Sequence, residues 1–345
     1  MPGDRRPWRH RTVAHWESLG NGRHGMGRNS KWIEGQPDDS TEQVARRALA
    51  ARLERMWHYL ERAVREPKSE AENVHQLRVF ARRAAAALEI FSAWLPSRRG
   101  QWMSKQVKRV RKAGGAARDL DVLRIRWSDR RERMSSGPAA LLLEQVQHCR
   151  REAQRPIEEV YSKLVEKRFV RRTSRFLKRV RTQDGQPSDR EPFGCMARVA
   201  LGRLVVPYLA AARAEMGDAE ALHAFRIQGK QVRYAMEIFA GAFNAEFRQE
   251  LYPVVARLQD RLGAINDHVT AQTYLAGWRD KIDSCAIRDA LEMGMQHERH
   301  CFDLSRQEFL AWWTSERRED LRQRFAQHVQ LESPNEQPSH FEDYG

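Results

Sequence analysis

The sequence predicts an all-α fold, and three observations carry that prediction. From Thr41 onward the chain runs in long stretches without Pro or Gly, rich in Ala, Leu, Arg and Glu, residues that enter a helix at little cost. Within them apolar residues return every three or four positions, the period of one helix face, and no alternating run is long enough to read as a strand. Breaks then separate the stretches: Glu66 and Pro67, Leu95 and Pro96, Gly114 and Gly115, Gly137 and Pro138, residues 184–192, Met216 and Gly217, and the surroundings of Gly263. The helices so defined are roughly 17 to 45 residues long.

Residues 1–39 mix Gly, Pro, Asn, Ser and isolated Trp without a period, which predicts a flexible N-terminal extension. Residues 40–330 form the expected helical domain, and 331–345 a C-terminal tail. Inside the domain His75-Gln-Leu-Arg78 aligns with His223-Ala-Phe-Arg226 at an offset of 148, and the alignment runs without a gap from 75 to 123. Twelve of those forty-nine positions are identical, among them Glu89 with Glu237, Arg109 with Arg257, Gly115 with Gly263 and Asp119 with Asp267. Shared composition accounts for matching Ala, Arg and Glu, but not for His, Gly and Asp held at one offset. The pattern predicts a duplicated helical unit with halves at about 40–183 and 190–330.

The charge is strongly positive: 61 Lys+Arg against 46 Asp+Glu, a net of +15, and a pI near 10.1. Residues 271–345 hold 9 Lys+Arg and 14 Asp+Glu, so the excess lies in the first three quarters, and an anionic partner is expected. With 41 % hydrophobic and 31 % charged residues the composition is that of a soluble globular protein. The most apolar stretches, 84–95 and 193–212, carry Glu89 and Arg198 with Arg203; neither is expected to span a membrane. The N-terminus has no apolar run of secretory type, so a cytoplasmic location is expected. Cys149, Cys195, Cys285 and Cys301 form no CxxC pair and are expected to be reduced, mostly buried thiols.

On a helix turning about 100° per residue, His75, Arg78 and Arg82 fall on one narrow stripe, opposite an apolar face of Leu77, Ala84, Leu88 and Phe91. His223, Arg226 and Lys230 repeat that stripe, and Arg233 and Tyr234 extend it. It is either a solvated polar face or a surface presenting cations to one anion, with Glu89 and Glu237 as partners that hold the cations; recurrence in both copies favours the second. Lys105, Lys108, Arg109 and Lys112 share a face of the next helix, and of their counterparts only Arg257 is cationic. Residues 163–181 carry nine Lys+Arg and one acid, with Arg168, Arg172, Arg175 and Arg179 along one line, either an anion track or a solvated face. Asp119 and Asp267 follow glycines and suit helix capping, or orientation of a basic side chain.

These motifs, the HxLRxxxRR-like helix at His75, the HxxRIxxKxxRY-like helix at His223, and the GAARDLDVL and LQDRLGAINDH segments, resemble the conserved histidine α-helical domain, CHAD, over about residues 40 to 330. The resemblance implies two four-helix bundles related by pseudo-twofold symmetry, whose shared basic surface binds inorganic polyphosphate. It carries over His75, Arg78, Arg82, Arg83, Arg109, His223, Arg226, Lys230 and Arg233 as binding residues. Ala85 and Ala86 stand where the second copy has Arg233 and Tyr234, and Asp260 is acidic, so the halves are not expected to contribute equally. Non-catalytic polyphosphate binding is therefore the leading expectation, with attachment to polyphosphate granules as one purpose.

Nucleic-acid binding is the first alternative, since basic helices suit any polyanion; only Tyr234 among the aromatics lies on a basic stripe. A metal-dependent phosphohydrolase is the second. It needs metal-binding carboxylates or a nucleophile facing the cations, and neither the ExExK mark of the triphosphatase domain often joined to this family nor a GxxxxGK loop is present. Met293, His297, His300 and Cys301 have ligand spacing on one helix, but read more simply as an exposed His-rich face. No cofactor or membrane partner is expected, and the oligomeric state is left open.

Overall fold

In the computed structural model the described residues are 30–66, 70–131, 136–181, 192–213, 216, 219–281 and 284–331. They are almost entirely helical, with no strand among them. Twelve α-helices follow in order: α1 Thr41–Arg65, α2 Glu70–Ile90, α3 Ser97–Ala113, α4 Gly115–Arg131, α5 Ser136–Glu152, α6 Arg155–Glu166, α7 Phe169–Leu177, α8 Phe193–Arg213, α9 Ala219–Phe239, α10 Tyr252–Arg279, α11 Cys285–Trp312 and α12 Ser315–Ala326. The expected break at Gly263 is absent, because α10 runs through it. A Cβ there would meet nothing within 4 Å, so this glycine serves no close approach.

The apolar faces read from the period are the ones buried: Leu77, Ala84 and Phe91 are fully enclosed, and Leu88 nearly so. α2 lies between α1 and α3, and α9 between α8 and α10, while α2 and α9 pack against each other. One continuous apolar core runs through all of these. A second, smaller core joins Leu120, Leu123 and Trp127 of α4 and Leu142, Leu143 and Val146 of α5 to Leu275 of α10 and Leu291 of α11. Beside it Glu298 accepts from Arg126 at 2.6 Å and lies 2.7 Å from Nδ1 of His268. α8 is long and apolar enough to cross a membrane by length and composition; Phe193, Ala197, Leu201, Val205 and Tyr208 on it are fully buried in the core.

Three expectations are corrected. Residues 30–39 do not belong to a flexible extension: Ile33 is buried, its N–H donates to the carbonyl of Glu237 at 3.1 Å, and Trp32 packs edge-on against Tyr252. Residues 1–29, and the tail beyond 331, lie outside the described residues. The polybasic stretch 163–181 is not one continuous track, because Arg168 takes a left-handed conformation, φ 52, and separates α6 from α7; Arg172 then stacks over Trp102 at 5.0 Å. The cysteines are free thiols, but Cys195 and Cys285 are exposed rather than buried.

Gly241 shows how closely the 30–39 segment is seated. A Cβ on it would stand 2.0 Å from the carbonyl oxygen of Gly35. Gly241→Ala is therefore expected to push that segment off the core and lower stability by about 1–3 kcal/mol, read as a shift of the urea midpoint.

Candidate functional site

The cationic residues converge where α2, α3 and α9 meet. A cavity of 660 Å³ opens there, lined by Arg78, Arg82, Ala85, Ala86 and Glu89 of α2, Lys108, Arg111 and Lys112 of α3, Gly115 at the start of α4, and Ile227, Lys230, Gln231 and Tyr234 of α9. Six basic side chains face a single acid, Glu89. Such a concave surface focuses positive potential and suits a ligand carrying several negative charges.

The walls explain the local sequence. Arg78 lies over Gly114 and Gly115: a Cβ on Gly115 would come 3.0 Å from its Nη1, so the glycine pair ends α3 and at the same time makes room for the guanidinium. Asp119 reaches Arg78 at 3.7 Å. Both Asp119 and Asp267 sit inside helices rather than at their starts, so orientation of the cations, not capping, is the role their positions support. Burial pushes the Asp119 carboxyl above its ordinary value and Asp267 adds to that push, while Arg78 opposes them. Burial also lowers Arg226, with Asp267 acting against it.

Lys230 has the most altered acid–base character in the cavity. Burial, then the positive charges of Arg226, Arg82 and Arg233, lower its pKa to about 6, with Asp267 alone opposing. Removing an ammonium from water and surrounding it with like charge both favour the neutral amine. His75 is lowered chiefly by burial and then by Arg118, so it too carries little charge near neutrality.

A second cluster lies behind the cavity. Glu237 is fully buried and takes two hydrogen bonds from Arg83, at 2.6 and 2.9 Å, and one from the Tyr252 hydroxyl at 2.9 Å. Arg52 stands 3.7 Å and Arg233 3.8 Å from the same carboxylate. Arg52 is pushed down to about 10, by burial first, with Glu237 opposing; it also donates to the carbonyl of Lys31. This network ties α1, α2, α9, α10 and the 30–39 segment together.

A family model of the CHAD domain matches residues 47–276, well over half of the chain. The chain belongs to the CHAD domain family. Two solved structures share the fold of this CHAD domain. The CHAD domain from the plant Ricinus communis is 23 % identical, covers 84 % of this chain and 98 % of its own, and has a TM-score of 0.61. PptA from Streptomyces chartreusis is 18 % identical over 80 % of this chain and 99 % of its own, with a TM-score of 0.58. No curated protein matches the chain closely enough to count as a relative.

Of the fourteen residues expected at the site of this CHAD domain, Arg78, Arg82, Lys108, Lys112, Lys230 and Tyr234 line the cavity. The others are elsewhere. Arg83 and Arg233 are turned to Glu237. Arg109 donates to Gln106 at 3.1 Å, and Lys105, Arg109 and Arg257 are exposed outside the cavity. Arg226 flanks Lys230 without lining the cavity. His223 faces a separate 320 Å³ cavity, walled by Leu222, Leu262, Ile265, Val269 and Phe302, and its Nδ1 bonds Asn266 Oδ1 at 2.8 Å. His75 is half-buried beside the stripe rather than in the cavity wall.

Phase explains most of these differences. Lys108, Arg111 and Lys112 span about 100° of α3, whereas Arg109 points about 160° away from Arg111. Arg111, three positions beyond Lys108 and outside the stripe expected from sequence, lines the cavity, whereas Lys105 and Arg109 do not. Arg118, which bears on His75 and Arg78, had no stripe signal because it comes from another helix. The ligand-spaced group on α11 does not gather into a site either: Met293 is half-exposed, His300 is exposed, and His297 lies 3.1 Å from the Cys301 sulfur. Among the described residues no three His, Cys, Asp or Glu side chains are placed to share a metal ion.

Proposed function

We propose that the cavity binds inorganic polyphosphate without catalysing its breakdown. The observation that carries this reading is the convergence of six basic side chains from three helices on one 660 Å³ cavity with a single acid. Arg guanidinium groups form paired charge-assisted hydrogen bonds to phosphate oxygens, and Lys supplies mobile point charges. Membership of the CHAD family is compatible with this ligand. Tyr234 is only 6 % exposed, which leaves little ring face for stacking on a nucleobase and favours polyphosphate over nucleic acid. A cytoplasmic location at polyphosphate granules follows from the same reading. So does a duplicated unit, residues 40–183 and 190–330, forming two bundles; the gap-free alignment and the pairing of α2 with α9, which carry the aligned histidines, support it.

The test is titration with long-chain polyphosphate and, separately, with single- and double-stranded DNA of matched charge, at two salt concentrations. Preference for polyphosphate that persists at about 0.2 M salt is expected. Equal affinity for all polyanions, collapsing with salt, would overturn the assignment.

Binding is also expected to weaken as pH rises. In the free protein Lys230 has a pKa of about 6, and an anion beside it raises that value, so a proton is taken up on binding. Affinity is then highest below pH 6 and declines above it, by up to about tenfold per pH unit, until the raised value of the complex is passed. Arg82, Arg226, Arg233 and Asp267 face Lys230, and Arg78, Lys108, Arg111, Lys112, Tyr234 and Glu89 share its cavity. Lys230→Arg should remove the Lys230 part of the slope, measurable as fewer protons taken up in calorimetry across buffers.

A further inference from the structure

Lys230 is half-buried without a structural partner among the described residues, whereas Lys108, Arg111 and Lys112, which also lack one, are exposed. Arg78 reaches Asp119 and Arg82 donates to the carbonyl of Arg78, whereas Lys230 makes no ion pair or hydrogen bond with any described residue. It projects from the middle of α9 into the shared space, with Arg82 across from it on α2 and Lys108 and Lys112 on α3. Arg226 and Arg233 stand one turn to either side on its own helix.

Those neighbours have two chemical consequences. Crowded by like charge and partly removed from water, the side chain keeps a substantial neutral fraction near neutral pH, consistent with its value of about 6. A neutral amine is a nucleophile where an ammonium is not. The same cations form a seat for a phosphate group in the shared cavity, so a small electrophile bearing phosphate would be concentrated and held beside the amine; one phosphate raises the amine's pKa less than a polyphosphate chain does, which leaves a neutral fraction to attack.

We propose that Lys230 is a site of covalent acylation whose donors are acyl phosphates, the phosphate resting on the cations of α2 and α3. The Nζ lone pair attacks the acyl carbon, forming the C–N bond. The bond from that carbon to the phosphate oxygen then breaks, and its electron pair leaves with the phosphate. The proton lost from nitrogen passes to the departing phosphate, so the products are an amide and inorganic phosphate, with no oxidant or reductant required. Arg82 and Lys112 stabilise the charge that gathers on the leaving group. The amide cannot take up a proton, so acylation removes the charge that Lys230 otherwise gains when a polyanion enters. Acylated protein would bind polyphosphate more weakly and with a flatter pH dependence. The seat for the donor rests on reading the cavity as a phosphate site, but not on polyphosphate being the ligand.

The experiment exposes the full chain to acetyl phosphate at neutral pH and follows acetylation of each lysine by mass spectrometry. Lys230 should react at least about tenfold faster than the exposed Lys163 and Lys167, and added inorganic phosphate should slow Lys230 selectively. Paired Arg82→Ala and Lys112→Ala replacements should bring its rate down to that of an exposed lysine. An activated acetyl ester without phosphate separates the two causes: an amine preference alone persists with that reagent, whereas the phosphate seat shows only with acetyl phosphate. Equal rates at Lys230 and Lys163 would overturn the proposal. Fast reaction without competition by phosphate would overturn the seat. Fast, phosphate-competed reaction in a protein that fails to bind polyphosphate would leave this proposal standing and sink the polyphosphate reading alone.

Discussion

Glu237→Ala should destabilise the fold by about 3–5 kcal/mol, the typical cost of breaking a buried ion pair from one side. The carboxylate is fully buried and answers Arg83 through two hydrogen bonds, with Arg52 and Arg233 close by and Tyr252 donating to it. Its removal leaves three guanidinium groups without their shared counter-charge and the Tyr252 hydroxyl without its acceptor. The cost is larger than for an exposed pair because little water can replace the lost oxygens. Glu237→Gln keeps the shape but not the charge and should fall between parent and Ala. Arg83→Ala should cost less than Glu237→Ala, since Arg52 and Arg233 still answer the carboxylate. Urea unfolding followed by circular dichroism checks the order; a Glu237→Ala protein within about 1 kcal/mol of the parent would show that the network does not hold α2 against α9.

Combined replacement of Arg82 and Lys112 by Ala should weaken long-chain polyphosphate binding by about 100-fold or more, from two charge-assisted contacts of about 1.5–3 kcal/mol each. The slope of log affinity against log salt should become shallower by roughly one to two units, as two cations no longer displace counterions. Both residues line the cavity, and neither belongs to the Glu237 network, so the unfolding midpoint should move little. The contrasting pair, Arg109 and Arg257, occupies aligned positions in the two halves but lies exposed outside the cavity. Their joint replacement should change affinity by about twofold or less. Equal losses from the two pairs would mean that the whole basic surface, rather than this cavity, holds the anion.

The aligned glutamates show why a repeat does not by itself assign roles. Glu89 and Glu237 occupy the same position in the repeat, yet Glu89 lies on the cavity wall and Glu237 is sealed in the core. The glycine motifs diverge in the same way. Gly115 accommodates Arg78 at a helix boundary, while Gly263 sits in the middle of α10 with open space beside it.

The helical class, most helix boundaries and the buried faces were legible in the sequence, because helix propensity, punctuation by Pro and Gly, and a period near 3.6 are local properties. That basic residues concentrate on the helices that became α2, α3 and α9 was legible too, since they gather there in the chain. What only the tertiary structure decided is which of those cations face one another. Arg82 and Arg83 are neighbours in sequence, yet about 100° of helical rotation sends one into the cavity and the other to Glu237, 154 residues away. The partner of a buried cation and the phase of one helix against the next are set by long-range packing, and so are the lowered pKa of Lys230 and the docking of the 30–39 segment, with Ile33 bonded to Glu237 of α9 and Trp32 against Tyr252 of α10.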